Sequence, residues 1–230
     1  MSLDSFFDAV RSGPLCSDKS SLFNPWVDFD ADNDLSSSSP AHRFEHLQAY
    51  MRERESSARF LLIAEAPGYC GCKFSGLAMT SERALLASDQ DLLDSHYFLG
   101  PKHRTSKFSP ALKNKDGMLE RTATIVWGKM MSAGLQSHEF VLWNSFAWHP
   151  HLPGNRLTNR APTKEEKAGG KEALRAFLDA FPGRTVLAIG DHSQGLLGEL
   201  GVEIHKLRHP SYGGATIFRE GVEALLRSQV

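Results

Sequence analysis

Four short runs of apolar residues divide the chain, and each of them ends in a turn or a polar segment. They occupy residues 59–64, 140–144, 185–190 and 204–207. The three longer runs are apolar almost throughout rather than alternating, which is typical of strands buried on both faces of a sheet. The pattern therefore predicts four buried β-strands.

Between these runs, apolar residues recur at the spacing of a helix. Phe6, Phe7 and Val10 predict a short amphipathic helix near the N-terminus. Thr163 and Glu166 form the capping box that opens a long helix. This long helix covers residues 164–181. The other predicted helices cover residues 41–54, 122–133, 193–200 and 218–227, and one more starts at residue 81.

Strands and helices alternate along most of the chain, and this order favours a parallel sheet with helices on both faces. We therefore predict an α/β fold, a three-layer αβα sandwich with a central, mostly parallel four-stranded sheet. Residues 1–230 are expected to form one domain, in which residues 1–45 are an N-terminal helix and an irregular extension. The polar and basic segment 100–118 is predicted to be a surface loop.

Composition narrows the class of protein without naming a function. With 41% hydrophobic residues and a net charge of -1, the chain has the profile of an ordinary globular protein. No apolar stretch approaches the roughly 20 residues that cross a bilayer, and the first residues lack the features of a signal peptide. Three cysteines favour a reducing cytoplasm. The near-neutral charge does not indicate nucleic-acid binding, although a local basic face remains compatible with it.

Residues able to do chemistry follow three of the predicted strands. Glu65 follows the first strand, Asn144 ends the second, and His209 follows the fourth. In a parallel sheet these positions share one edge, where binding sites form. Taken singly, each has an ordinary explanation: a solvated loop carboxylate, a turn residue bonded to nearby backbone, and a His-Pro turn. Together they predict one polar site.

The ordered set of segments resembles the uracil-DNA glycosylase superfamily. Glu65-Ala66-Pro67-Gly68 is similar to the first motif of its iron–sulfur branch, with Ala64 in place of the leading glycine. Asn159-Arg160-Ala161-Pro162-Thr163, followed by Glu166, resembles a further segment of that branch. His209-Pro210-Ser211 resembles the second motif. The similarity extends over about residues 60–227.

The resemblance implies a role for each of these positions. Glu65 and His209 would be catalytic, the first acting on water and the sugar cation and the second on the departing base. Asn144 would read the edge of a flipped uracil, in a pocket that includes Ala66, Pro67 and Gly68. The implied DNA contacts are Arg160, Lys206, Arg208, Ser211 and Tyr212, with Tyr212 as the wedge that fills the gap in the base stack.

Three departures from the family pattern bear on activity. Four thiolates commonly hold an iron–sulfur cluster, and Cys16, Cys70 and Cys72 are too few, so we predict no cluster and no metal. The phenylalanine that stacks on uracil has no direct counterpart, and either Met79 or Phe74 takes its place. Ala66 stands where the classical uracil enzymes carry a water-activating aspartate, which shifts that task to Glu65.

The sequence thus predicts a cofactor-free, cytoplasmic, monomeric DNA glycosylase that acts on uracil or a related deaminated base. Two alternatives stay open. One is a DNA-binding, damage-sensing homologue that has lost the chemistry. The other is an α/β protein that binds a nucleotide or small molecule on the same sheet.

Overall fold

A computed structural model describes residues 2–86 and 99–228, and at its centre is a sheet of four parallel strands. In chain order the strands are β1 (Leu22–Phe23), β2 (Phe60–Ala64), β3 (Phe140–Asn144), β4 (His149–Pro150), β5 (Thr185–Ile189) and β6 (His205–Leu207). The central sheet has the order β3-β2-β5-β6, and β1 pairs with β4 in a separate antiparallel ribbon. Because β2 and β3 are in register from Phe60 opposite Phe140 to Ala64 opposite Asn144, their carboxyl ends are level.

Helices cover the sheet and connect its strands. They are α1 (Leu3–Ser12), α2 (Ser39–Arg54), α3 (Cys72–Ser75), α4 (Glu82–Leu85), α5 (Arg121–Ser132), α6 (Lys164–Ala180), α7 (Asp191–Glu199) and α8 (Ala215–Ser228). Single 3-10 turns occur at Pro110–Leu112 and Ser137–Glu139. No helix within residues 2–86 and 99–228 has both the length and the apolar character needed to cross a membrane.

Successive residues of β3 point to opposite layers and show how the sandwich is built. Trp143 packs on one face against Phe6 of α1 and Phe177 of α6, with ring centroids 4.9 and 5.4 Å away. Phe140 packs on the other face against Trp127 of α5, at 4.9 Å. This alternation is that of a strand buried on both sides. The predicted α/β fold class is confirmed.

Helix α2 covers the outer edge of β3, whose backbone groups would otherwise lack partners. The Leu142 N–H donates to the Tyr50 hydroxyl at 2.9 Å, and the Arg54 guanidinium donates to the carbonyls of Phe140 and Ser137. Buried backbone groups need such partners, and an uncovered edge strand invites pairing with other chains. A helical side chain therefore takes the place of a fifth strand.

The segment 100–118 is more than the surface loop that the sequence predicts. Thr105 and Ser106 are fully buried, and their backbone N–H groups donate to the Glu82 carboxylate at 2.6 and 2.8 Å. The Met118 N–H donates to the same carboxylate at 3.1 Å. One buried acidic side chain at the start of α4 thus holds both ends of the intervening loop. Charge alone could not reveal this, because the exposed lysines between these anchors dominate the local composition.

Candidate functional site

A cavity of about 580 Å³ opens at the carboxyl ends of β2, β3 and β5 and beside the loop that follows β6. Its wall carries all but two of the predicted site residues: Glu65, Ala66, Pro67, Gly68, Met79, Asn144, Arg160, Arg208, His209, Ser211 and Tyr212. Phe74 and Lys206 are not on this wall. The predicted strand ends therefore do meet at one site.

Hydrogen bonds beyond the sheet edge hold Asn144 beside Glu65. The Ser145 N–H donates to the Ala64 carbonyl at 2.8 Å, and the Phe146 N–H donates to the Glu65 carbonyl at 2.9 Å. The Ser145 hydroxyl also donates to the Glu65 carbonyl, at 3.1 Å. The two segments continue side by side past their strands, so the backbone positions of both residues are closely determined.

Asn144 is almost fully buried, yet its carboxamide is free. Only 3% of the residue is exposed, and no hydrogen bond occupies the side chain among the described residues. Because Asn144 lines the cavity, a ligand in the cavity can reach its carboxamide. A ligand with a complementary edge would satisfy both the donor and the acceptor of this group.

Glu65 has a lysine and a histidine as neighbours, and the sequence alone does not reveal either contact. Its Oε1 lies 3.4 Å from Lys167 Nζ and 3.7 Å from His192 Nδ1. Oε1 is buried but accepts no hydrogen bond of good geometry within the described part of the chain. Lys167 belongs to α6 and His192 to α7, so these contacts form only when the helices assemble on the sheet.

The bonding around His209 defines which ring nitrogen can donate. Nδ1 accepts from the Ser211 N–H at 3.1 Å and lies 2.7 Å from the Ser211 hydroxyl. A backbone N–H can only donate, so in the neutral ring the proton is on Nε2. Burial, with a smaller effect of the Arg208 guanidinium, lowers the pKa of His209. The side chain is therefore set as a neutral donor.

Two glycines allow the backbone to pass close to His209. A Cβ at Gly214 would lie 2.1 Å from the His209 carbonyl oxygen, and one at Gly190 would lie 3.4 Å from the His209 Cβ. Gly190 also has a φ of +89°, which disfavours other residues. The resulting turn presents Tyr212, which is 97% exposed and has a φ of +49°. An aromatic ring thus protrudes at the mouth of the cavity.

Met79 lines the cavity and Phe74 does not. The Met79 backbone has a φ of +45°, which is uncommon for a residue other than glycine. Phe74 is fully buried in α3, where the Lys73 ammonium lies 3.9 Å from its ring centroid. The expectation that Phe74 contacts substrate is corrected on this ground, because its ring is enclosed by protein.

The predicted DNA contacts differ in how free their side chains are. Arg160 donates all five guanidinium N–H groups within the protein, to both Glu166 oxygens and to the carbonyls of His151, Ala161 and Ser21. Lys206 is paired with Asp191 on the exposed face of β6. Arg208 is exposed, and its one side-chain hydrogen bond within the described part of the chain is to the His209 carbonyl, at 3.3 Å. Arg160 therefore holds the loop before α6, and a phosphate contact by it is not supported by this geometry.

Two further residues on the wall brace or face the Pro67-Gly68 turn. Asn159 Oδ1 accepts from the Tyr69 N–H at 2.9 Å. The Glu120 carboxyl packs against the glycines of this segment, and a Cβ at Gly71 would lie 2.2 Å from its Oε2. Among the residues that the structure describes, no hydrogen bond reaches the buried Oε2, and burial raises the pKa of Glu120 to about 7. This acid could not be predicted from the sequence, because it lies far along the chain from the turn that it contacts.

Comparison with known families decides the ancestry of this site. The family model for the uracil DNA glycosylase superfamily matches residues 52–218, which include every residue on the cavity wall. The chain belongs to the uracil DNA glycosylase superfamily. The predicted resemblance is thereby confirmed.

A solved structure extends the likeness of fold beyond the matched segment. The crystal structure of wild-type SMUG2 from Pedobacter heparinus is similar with a TM-score of 0.63, over 97% of each chain. Sequence identity is only 12%, so this likeness concerns the fold. No curated protein matches the chain in sequence.

The cysteines of this superfamily member do not resemble a cluster site. Within residues 2–86 and 99–228, Cys16, Cys70 and Cys72 do not gather into a group of three ligand atoms. Burial raises the pKa of the Cys70 and Cys72 thiols, and the nearby Glu120 carboxylate raises it further. Metal binding needs thiolates, which this environment disfavours. The donor set therefore does not fit an iron–sulfur cluster.

Proposed function

We propose that the protein is a DNA glycosylase that hydrolyses the N-glycosidic bond of a flipped uracil or a related deaminated base. The observation that carries the proposal is Asn144, a nearly buried residue that lines the cavity and whose carboxamide has no hydrogen-bond partner among residues 2–86 and 99–228. A carboxamide pairs in two directions with the edge of a base. Glu65 and His209 lie on the same wall, where the sugar and the base would meet.

The base must first leave the duplex. Flipping costs a few kcal/mol, and the cost is smaller for a mispaired base such as uracil opposite guanine. Tyr212, exposed at the cavity mouth, would enter the vacated position in the stack. Arg208, Ser211 and Lys206 would contact backbone phosphates near the same loop. Met79 would pack against the face of the bound ring, since a thioether adapts to such a surface.

The chemical step breaks the bond between C1′ and the base nitrogen, and its electron pair leaves with the base. His209 would donate from Nε2 to the carbonyl oxygen on which negative charge develops. Fixed donors of this kind often contribute the largest share of catalysis. Glu65 would stabilise the sugar cation and accept a proton from the water that adds to C1′. Solvent would then protonate the departing base.

The proposed enzyme is a cytoplasmic monomer that needs no catalytic cofactor. A damage-sensing role is the second candidate, and Met79 is the observation that favours it. A thioether holds a ring less rigidly than an aromatic side chain does, so binding could persist with slow or no cleavage.

The proposal is tested with labelled oligonucleotides that contain uracil, hypoxanthine or xanthine, single-stranded or paired, followed by alkaline cleavage of abasic sites. Asn144→Ala and His209→Ala are each expected to lower the rate by about 100- to 1000-fold. His138→Ala is the matched control, because His138 is exposed at the opposite end of the sheet.

Each outcome separates the candidates. Strand breaks at one lesion, lost in both site variants and retained in the control, would support the glycosylase. Binding of lesion-containing DNA without cleavage would favour the damage sensor. Neither binding nor cleavage would contradict both functions.

A further inference from the structure

Away from the cavity, two histidines and a glutamate lie close together between α2 and the segment just before Thr105. His42 and Glu45 are one turn apart on α2, and His103 approaches them from the segment 99–107. One ligand atom from each residue lies within 4.8 Å of the other two. None of the three lines the candidate active site.

We propose that His42, Glu45 and His103 form a binding site for a divalent transition-metal ion of the zinc type. Two imidazoles and one carboxylate are a donor set that zinc accepts, with water at the fourth position. Magnesium and calcium prefer oxygen donors alone, so nitrogen-rich chemistry selects against them. The site is independent of the proposed glycosylase activity.

The spacing of the donors suits such an ion. His103 Nε2 lies 3.4 Å from Glu45 Oε2. Ligand atoms about 2.1 Å from a tetrahedral zinc are roughly 3.4 Å apart, so this pair already has the required separation. The rings of His42 and His103 are stacked at 4.2 Å with an angle of 19° between their planes. A small rotation of the partly exposed His42 side chain would complete the set.

A buried histidine holds the approaching segment in position. The His103 N–H donates to His46 Nε2 at 2.9 Å, and His46 Nδ1 donates to the Ser75 carbonyl at 2.8 Å. His46 thereby connects the backbone at residue 103 to α2 and to α3. Outer hydrogen bonds that orient ligands are a regular feature of metal sites. His46 acts here as a positioning residue and is not a ligand.

Cysteine number and spacing predict no metal in this chain, and they carry no information about these histidines. The helical pair His42 and Glu45 is short-range, but His103 lies about sixty positions away. Only the folded chain brings the third ligand to the helix. A bound ion would join α2 to the segment that runs on to Thr105, which Glu82 already anchors.

The test uses the full-length protein, freed of metal with a chelator and titrated with zinc chloride by isothermal calorimetry. Cobalt(II) titration provides a second readout, because a four-coordinate cobalt site absorbs strongly in the visible range. The unaltered protein is expected to bind one zinc ion and to melt at a higher temperature when zinc is present. His42→Gln and His103→Gln should abolish both effects, and Glu45→Gln should weaken binding at least about tenfold.

His138→Gln is the control, since it removes an exposed histidine outside the cluster and should bind zinc as the unaltered protein does. All the substituted side chains are partly or fully exposed, so the variants are expected to fold. Absence of saturable zinc binding would overturn the proposal. Zinc binding by the His42→Gln and His103→Gln variants that equals binding by the unaltered protein would also overturn it. Because binding and melting are measured, failure of the glycosylase proposal would leave these results unaffected.

Discussion

Glu120 carries its carboxyl group where solvent stabilises charge poorly. Its pKa rises to about 7 through burial, and no cationic side chain compensates within the described residues. The sign of the consequence follows from linkage. A carboxyl whose pKa is higher in the folded state favours folding most below its unfolded value near 4.5, and this stability is lost as the pH rises through 7.

Glu120→Gln is therefore expected to flatten the pH dependence of stability. The variant should be more stable than the unaltered protein at pH 8, by about 2 kcal/mol, and should gain little at pH 5. Urea denaturation at a series of pH values measures this difference. Glu203→Gln, at an exposed position, is the control. A gain of the same size at pH 5 and pH 8 would contradict the assignment.

The two arginines near the site should respond differently when neutralised. Arg160 is saturated by protein acceptors, whereas Arg208 keeps most of its donors free. If Arg208 contacts a phosphate, Arg208→Gln should reduce the salt dependence of DNA affinity by about 0.9 in the slope of log K against log[salt]. Arg160→Gln should leave that slope unchanged and lower stability by about 2 kcal/mol, because Glu166 loses its partner. Fluorescence anisotropy and urea melts provide the two measurements, and the reverse result would refute this division.

At the scale of residues, the sequence predicted what adjacent positions encode. Asn144 and His209 could be found because each directly follows a recognisable strand or motif. Lys167, His192 and Glu120 could not, because each meets the turn after β2 only through folding. Phe74 was misjudged for a related reason: spacing from the motif places it near the site, but the short helix α3 turns its ring into the protein.

Among the secondary structure elements, the end of α3 shows a strict backbone requirement. Gly76 has a φ of +76°, and a Cβ there would lie 2.5 Å from the Arg43 carbonyl oxygen on α2. The contact is with backbone, which has little freedom to move. Helix α2 in turn is held by Arg43, which forms a buried ion pair with Asp34 at 2.7 Å.

Gly76→Ala is thus expected to destabilise the protein by more than about 2 kcal/mol, from backbone strain and collision together. Gly134 offers a matched control, because it has a φ of +88° with open space around its Cβ position. Gly134→Ala should cost about 1 kcal/mol from strain alone. Thermal melts of both variants provide the comparison. Equal losses would show that contact with α2 contributes nothing.

The main elements were predictable because their signals are local. All four strands of the sheet were found from apolar runs, and the capping box of Thr163 and Glu166 is confirmed. Helices α2, α7 and α8 begin two or three residues earlier than predicted, since a proline, a left-handed glycine and a glycine turn were interpreted as loop. The ribbon of β1 and β4 was missed, because two residues carry no periodicity and the pairing partners are far apart in sequence.

Over the whole molecule, the N-terminal segment is part of the core. Phe6 is fully buried against Trp143 and Phe177, and Trp26 stacks on Trp143 at 5.8 Å. The sequence indicated the amphipathic helix but not its destination. Its apolar face completes the layer that α6 begins, so the segment should unfold together with the sheet.

Phe6→Ala is expected to lower the free energy of unfolding by about 3–5 kcal/mol, because a large cavity would replace a ring among aromatic neighbours. Urea denaturation followed by tryptophan fluorescence should show one transition shifted to lower denaturant. Leu15→Ala, which truncates a side chain that is 74% exposed, should change stability by less than about 0.5 kcal/mol. A small effect of Phe6→Ala would show that α1 is dispensable.

The double anchorage at Glu82 has a consequence for a cut chain. Thr105 and Ser106 on one side of the loop and Met118 on the other bind the same carboxylate, while Lys113 and Lys115 between them are exposed. Trypsin could nick the loop there without releasing either end. The two fragments would then co-elute as one particle and separate only in denaturant, so the peptide bond after Lys113 or after Lys115 is dispensable once the fold is made.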